Sequence, residues 1–557
     1  MQNVHAMKGM IIMGEWKSLL RLKPFLKKYR LILIAGIAGI ILSSILATPI
    51  PYLIGHLLDK VLMGNKSYRD LYLYTGGIAA LYLVQYGVSL VSKNLFIQIN
   101  NSVVNEMRYS VMRKVMDLPM SYLSSTEKGY VQSRISECGS VGSIFSPSIV
   151  SMFLSIIDAL LAIVTMFAIN YKLAFVVLAL TPIFFFSTKV STKGFMKNTQ
   201  SMMESSAILN GECFEIINGI EDIKMLSGKE KHLAQFKTKI SELVKYSVKQ
   251  SKSMILFGQN ISLINNAGTL LILFISGILI LKGEFTIGLY TSFSLYIAKV
   301  FASTQGMAML GTTLKPVCLS IERIYELLDM KDENSGRDKV LESGIETIEF
   351  NNVGFQYKED LPDVFKEVSF KLQKGDKALL KGENGSGKTT LIKLLLGLYQ
   401  PTSGQITVNG MDAAQLNCDS LRQRVGIVSQ NIFLFRGTVL NNILYGQSEK
   451  NRQDVQKLIE QLDLQEYIGR LANGLDTEIS QNTSGVSGGQ SQIIAFIRAL
   501  LSQKDVIILD EPISSVDAET RNLIVRILDK REYDGILIVI SHQTEGMEFL
   551  KKVVEIK

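Results

Sequence analysis

Six apolar runs constrain this chain more than any other feature: Leu31 to Leu53, Leu71 to Gln98, Pro147 to Ile169, Leu173 to Val190, Ile255 to Leu281 and Thr286 to Ala308. Each is roughly 18 to 28 residues, the length a helix needs to cross a hydrocarbon core of about 30 Å. Lipid offers peptide groups no hydrogen-bond partner, so a run of this length in a bilayer must satisfy its own backbone, as a helix does. After about Leu310 the pattern changes. From about Glu346 the apolar stretches are strand-length and separated by glycine-rich turns, the habit of a soluble α/β domain. The reading is a polytopic α-helical membrane domain of six transmembrane helices followed by an α/β domain. Its bounds are an N-terminal segment 1–30, a membrane domain 31–328, a linker 329–345 and a soluble domain 346–557.

Of the 557 residues 47% are hydrophobic, high for a soluble protein of this size, and the formal net charge is +8. Such a charge fits a nucleic-acid binder, but much of it lies beside the apolar runs, as in WKSLLRLKPFLKKYR (Trp16 to Arg30). Basic flanks on the cytoplasmic side explain it, and no nucleic-acid partner is expected. With the N-terminus inside, an even number of spans returns the soluble domain to the cytoplasm. This makes a multi-pass protein of the cell (cytoplasmic) membrane, with lipid as its surroundings. The connections MGNKSYRD, NYK and KGE are short, whereas those at about Ile99 to Ser146 and Ser191 to Met254 are long, charged and helical in pattern. Cys138, Cys213, Cys318 and Cys418 have no CxxC spacing, which argues against a disulfide framework or a cysteine metal site. The first run is too long for a signal peptide, and with so short a segment before it no folded domain is expected ahead of the first span.

KALLKGENGSGKTTLIKLLLG, Lys377 to Gly397, reads as strand, glycine-rich turn and amphipathic helix. Gly382, Gly387, Lys388 and Thr389 fill the GxxxxGK[ST] pattern, in which backbone amides at a helix N-terminus cradle phosphates. The candidate ATP-binding residues here are Gly382, Asn384, Gly385, Ser386, Gly387, Lys388, Thr389 and Thr390. Lys388 would reach the β- and γ-phosphates, and Thr389 would ligate Mg²⁺. VIILDEP, Val506 to Pro512, ends an apolar strand on two carboxylates. Asp510 suits the Mg²⁺ shell, and Glu511 suits a catalytic base for the attacking water. The soluble half is therefore expected to be a P-loop NTPase.

SGVSGGQSQ, Ser484 to Gln492, resembles the signature of the ATP-binding cassette (ABC) transporters. The resemblance extends in order along the soluble half. It implies that Tyr357 in GFQYKED stacks on adenine, that Gln430 in GIVSQNIF senses Mg²⁺ and γ-phosphate, that Asp517 in SSVD lies in the dimer-contact loop, and that His542 in VISHQ is the switch histidine. It also implies that Ser487, Gly488, Gly489 and Gln490 cap ATP held by a second subunit. Val486 and Ser491 depart from the usual leucine and arginine. Six spans ahead of one cassette resemble an exporter-type half-transporter, an ATP hydrolase coupled to transport, with ATP and Mg²⁺ as cofactors. The partner would be a second half-transporter, in a homodimer or a heterodimer. By the same likeness, Ser133 to Ile144 and Glu215 to Leu226 would hold the coupling helices, and the C-terminal helices common in the family are expected to be missing or reduced.

The expected function is ATP-driven export of a hydrophobic or amphiphilic cargo, a peptide, drug or lipid, by alternating access of a dimer. An importer of exporter fold, or an ATP-gated sensor that moves nothing, keeps the same motifs. Two charges interrupt the apolar runs: Asp158 in SIIDALLAI and Lys299 in SLYIAKVF. Intramembrane charge is costly and usually paired or facing a cavity. The two are candidates for a polar intramembrane site, either paired with each other or facing cargo.

Overall fold

The computed structural model describes residues 17–556, apart from 66, 127, 359, 384, 481–485, 514–515, 532 and 543–546. Contacts divide the chain into two compact units, Met1–Arg113 with Gly129–Asp329, and Lys114–Lys128 with Met330–Lys557.

The first unit is helical. Its elements are α1 (Arg30–Ala47), α2 (Pro49–His56), a π-helical stretch Leu57–Asn65, and α3 (Tyr68–Asp117), whose last turn belongs to the other unit. After α4 (Met120–Ser125) come α5 (Lys128–Gly142), α6 (Pro147–Ile169), α7 (Tyr171–Asn218), α8 (Ile220–Met225), α9 (Lys229–Leu281) and α10 (Ile287–Leu328). Among the described residues four stretches are long and apolar enough to cross a membrane: Arg30–Gly64, Tyr68–Asp117, Gly129–Ile169 and Lys229–Leu281. The fourth apolar run lies on α7, with Tyr171–Pro182 as a shorter apolar stretch, and the sixth lies on α10. The helices start where side chains cap them. Ser146, Asn170 and Thr286 each accept a bond from the amide three residues on, which satisfies a donor the first turn leaves free. Asp59 adds its carboxylate to the start of α10, accepting from Gly288 N at 2.8 Å and from the Thr286 hydroxyl. Negative charge there complements the helix dipole.

Proline shapes the first span. Pro49 ends α1, and Pro51 has no N–H to give to the Ala47 carbonyl four residues earlier. One face of α10 addresses this break. Lys299 Nζ donates to Ala47 O at 3.0 Å, Tyr296 Oη to Thr48 O at 2.6 Å, and Ser292 Oγ to Pro51 O at 2.9 Å. Just beyond the break the backbones nearly touch: a Cβ on Gly288 would stand 2.0 Å from the Gly55 carbonyl oxygen. Phe257, Phe293, Tyr296 and Phe301 pack with residues of α6 and α7 into the core of this unit.

The second unit is an α/β layer structure. β1 (Thr347–Phe355), β2 (Phe365–Gln373), β4 (Ser403–Val408) and β5 (Met411–Asp412) form an antiparallel sheet in the order β2-β1-β4-β5. A parallel sheet, order β11-β3-β10-β9-β6, joins β3 (Lys377–Gly382), β6 (Val425–Val428), β9 (Val506–Asp510), β10 (Ile536–Ile540) and β11 (Lys552–Ile556). Strands covered on both faces read as unbroken apolar runs, and all residues of β9 and β10 are buried. Alternate residues enter different cores: Val506 and Ile508 join the core under the antiparallel sheet, whereas Ile507 and Leu509 join the core of the helical side. The flanking helices used below are α11 (Lys388–Leu395), α12 (Gly488–Leu501) and α13 (Ala518–Lys530).

The stretches 133–144 and 215–226 lie in the first unit, the second of them holding the short helix α8, while the loop segment Lys114–Lys128, carrying α4, groups with the soluble residues. There Glu333 N donates to Asp117 O at 2.7 Å, the Tyr399 hydroxyl donates to Ser124 Oγ at 3.0 Å, and Lys114 bonds the Met330 carbonyl and Asp332. The polar stretch after α10 is also tied to the soluble residues. Glu333 takes a two-pronged bond from Arg422 at 2.7 and 2.9 Å, and Leu341 and Ile345 are buried.

Candidate nucleotide site

Four neighbouring strands of the parallel sheet deliver their C-terminal ends to one place, where open α/β sheets bind ligands. β3 runs into the phosphate loop, which Gly385 (φ +87°) and Gly387 (φ +90°) turn through backbone space that favours glycine. At Gly387 a Cβ would also stand 2.5 Å from the Phe365 ring, so the turn has room only for hydrogen. Ser386 lies in the same loop beside Gly382, and Asn384 lies outside the described residues. Lys388 opens α11 and curls back, donating to Gly382 O at 2.9 Å and Glu383 O at 2.7 Å. Its ammonium is thus held over the loop. Burial pushes the Lys388 pKa down, against the pull of Glu511 and Asp510.

From β9 come the carboxylates. Asp510 is buried and its Oδ2 accepts from the Thr389 hydroxyl at 2.9 Å, while its buried Oδ1 has no hydrogen-bond partner among the described residues. Burial pushes its carboxyl above the ordinary range, the bond from Thr389 opposes this, and the Glu511 charge adds to it. A buried carboxylate oxygen with nothing to bond, beside a threonine hydroxyl, is a donor set suited to a hard cation such as Mg²⁺. Glu511 has φ +51°, a strained setting for a residue with a Cβ. Its two oxygens are engaged by side chains from other strand ends: Gln430, after β6, donates at 3.2 Å, and His542 Nε2, after β10, lies at 2.8 Å.

Tyr357 reaches the site from the antiparallel sheet. Its hydroxyl lies 2.9 Å from Thr390 Oγ1, and its ring packs edge-on against Tyr399 at 5.3 Å and Phe355 at 4.9 Å. Tyr399 escaped the sequence reading. It belongs to no local motif, and its place in the aromatic group comes from tertiary packing.

Ser487, Gly488, Gly489, Gln490 and Asp517 form a separate group. Ser487 caps α12 in a reciprocal box with Gln490, leaving Gly488 and Gly489 in the first turn. Asp517 caps α13 through Thr520 N at 2.7 Å, and a Cβ on Gly489 would meet Thr520 Oγ1 at 3.9 Å. Two helix N-termini with small residues thus adjoin. Among the described residues, the bonds and ion pairs of this group include none to Lys388, Thr389, Asp510 or Glu511.

In the membrane unit, the ion pairs among described residues do not include Asp158 with Lys299. Lys299 is bonded to Ala47 O, and the buried Asp158 Oδ1 has no hydrogen-bond partner among the described residues. Nearby lies a cavity of about 610 Å³, lined by residues that include Thr48, Pro49, Tyr52, Thr165 and Tyr296.

A phosphate loop, a strand-end carboxylate pair and a second helix-capped group on an α/β unit, joined to a bundle of apolar helices, define an ATPase coupled to membrane transport. Comparison with known proteins agrees. Residues 33–304 match the family model of the ABC transporter transmembrane region, and residues 365–514 match that of the ABC transporter. The chain belongs to the ABC transporter family, as an exporter-type half-transporter that joins a membrane domain to an ATP-binding ATPase domain. Among curated relatives it is 26% identical over 541 residues to the lactococcin-A transport/processing ATP-binding protein LcnC of Lactococcus lactis, covering 96% of this chain and 75% of the relative. It is 25% identical over 547 residues to the ATP-dependent lipid A-core flippase of Vibrio vulnificus, covering 98% and 93%. In fold it is similar to a bacterial Atm1-family ABC exporter with ATP bound, with TM-score 0.82, 20% identity and coverage of 95% and 93%.

Proposed function

We propose that two copies of this half-transporter assemble in the cytoplasmic membrane and use Mg²⁺-ATP to export an amphiphilic cargo, a peptide in the first instance. The observation that carries the reading is the convergence of Lys388, Thr389, Asp510, Glu511, Gln430 and His542 on four adjacent strand ends. Phosphate would take the loop amides and the Lys388 ammonium in place of the carbonyls it now bonds. Thr389 and Asp510 would hold Mg²⁺, which when bound neutralises charge on the β- and γ-phosphates. Glu511 would take a proton from the attacking water, with Gln430 and His542 fixing its carboxylate.

The second group, Ser487 to Gln490 with Asp517, supplies helix N-termini suited to a γ-phosphate. Since this group is separate from the loop within one chain, the reading assigns it to nucleotide on the partner. A single chain then carries two halves of different sites, which favours a symmetric pair with two composite sites. Relatives named for lactococcin-A transport and for a lipid A-core flippase support an amphiphilic cargo.

The test is flux. Purified protein in lipid vesicles is given ATP and either a fluorescent apolar peptide or a labelled lipid, with Glu511→Gln as control. ATP-dependent movement of the peptide, lost in Glu511→Gln, supports the reading. Lipid movement alone reassigns the cargo, opposite direction indicates import, and nucleotide binding without flux indicates a sensor.

A further inference from the structure

Lys299 solves a problem that Pro51 creates. A lysine in an apolar helix is expensive unless its ammonium is satisfied, and a carbonyl facing proline has lost its helical donor. Here the two needs meet, with Lys299 Nζ 3.0 Å from Ala47 O. Lysine side chains on a helix lean toward its N-terminus, which is the direction of the α1–α2 break. Thr48 and Pro49 at that break and Tyr296 on α10 line the cavity, so the bond holds part of the cavity wall.

Asp158 stands within electrostatic reach of this ammonium, and the hydrogen bonds and ion pairs among the described residues do not join the two. The packing of α6 on α10 sets their relative depth. Gly306 is close enough to Ser155 that an added Cβ would lie 3.0 Å from its Oγ, while Leu289 and Tyr296 share the cavity with Thr165 and Ile169, so the helices run antiparallel. Counting from the Gly306–Ser155 contact toward the cavity, Asp158 lies about 4.5 Å along and Lys299 about 10.5 Å along. The offset of about 6 Å lies on the side away from the lysine's N-terminal lean, so a slide of α10 along α6 together with the length of the lysine side chain is what closes it.

We propose that Lys299 is a positioning residue for the transport step with two alternative acceptors. In this conformation it holds the Ala47 carbonyl and the cavity wall. When α10 shifts along α6 it transfers to the Asp158 carboxylate and releases the break, so that cavity shape and helix register change together.

The test is a thermal-unfolding cycle of Lys299→Met, Asp158→Asn and the double variant in lipid nanodiscs. It is run without nucleotide and with a non-hydrolysable ATP analogue, in the natural sequence and in Pro51→Ala. With Pro51 present, non-additivity of roughly 2 to 4 °C is expected in one nucleotide condition and additivity in the other. Pro51→Ala returns an N–H to Ala47 O, which weakens that carbonyl's need of Lys299, and is expected to make the non-additivity appear in both. Additivity in every condition, equal non-additivity in both with Pro51 present, or no effect of Pro51→Ala would each overturn the proposal. Asp158→Glu, with its longer reach, is a second probe should Asp158→Asn fail to fold. It is expected to raise Tm in the condition where the wild-type pair couples, and a Tm unchanged in both conditions counts against the exchange.

Discussion

Strand β9 and helix α3 are both apolar, and they bury themselves in different ways. Every residue of β9 is covered by other residues of the same chain, whereas only 6% of the most apolar window of Tyr68–Asp117 is buried. In the membrane unit Leu73, Leu83, Leu263 and Phe274 are 67–72% exposed. The soluble unit closes its own core. The membrane unit has a surface that only lipid or a partner can cover, so the hydrophobic effect that drives one to compact does not drive the other.

Four experiments probe that difference, beginning with the largest effect. In the soluble unit, the proposed function rests on single groups. Glu511→Gln is expected to cut steady-state ATP turnover by at least about a hundredfold while nucleotide trapping persists. Near-normal turnover would remove Glu511 from the base role and leave the site without a local centre. Next comes the contrast itself. Ile508→Ala, in the middle of β9, is expected to cost about 2 to 5 kcal/mol because it leaves a cavity, and Leu83→Ala under about 0.5 kcal/mol because lipid fills the gap. Chemical denaturation in mixed micelles measures both. A loss at Leu83 as large as at Ile508 would mean that protein, not lipid, covers that face.

Gly288→Ala is the membrane unit's counterpart to a core mutation, since its Cβ would fall 2.0 Å from the Gly55 carbonyl. A cost of about 1 to 3 kcal/mol is expected, read as a lowered melting temperature. An unchanged melting temperature would show that α2 and α10 separate freely. The smallest effect concerns protons. Asp510 holds its proton more tightly folded than unfolded, because burial raises its pKa. Stability of the nucleotide-free protein should therefore be fullest below about pH 4 as far as this group is concerned, and should decline as pH rises through the raised value. Asp510→Asn should flatten that slope in a melting-temperature profile, and an unchanged slope would assign it to other groups.

The candidate nucleotide site is legible because each of its parts ends a local pattern. An apolar strand followed by Asp510–Glu511, or by the glycine turn to Lys388, places the side chain without knowledge of anything distant. The helical membrane domain was legible from run length alone. What depends on remote partners was not. α4 is MSYLSS, six residues with no period to read, and it joins the soluble residues through Tyr399 on a different part of the chain. Lys299 was visible as a charge, but its acceptor was not, because the vacancy at Ala47 is made by Pro51, some 250 residues earlier.

The division of α3 has a mechanical consequence. This helix has 50 residues, and its final residues from Lys114 belong to the other unit. At about 1.5 Å per residue it is a rod of about 75 Å, stiff over that span if its hydrogen bonds hold. A tilt of about 5° imposed near one end would carry the other through about 6 to 7 Å, more than a helical turn. Along the helix itself, a displacement at one end would thus need no relay of small shifts to be felt at the other. A single lever, with its fulcrum wherever the bundle grips it, would be enough.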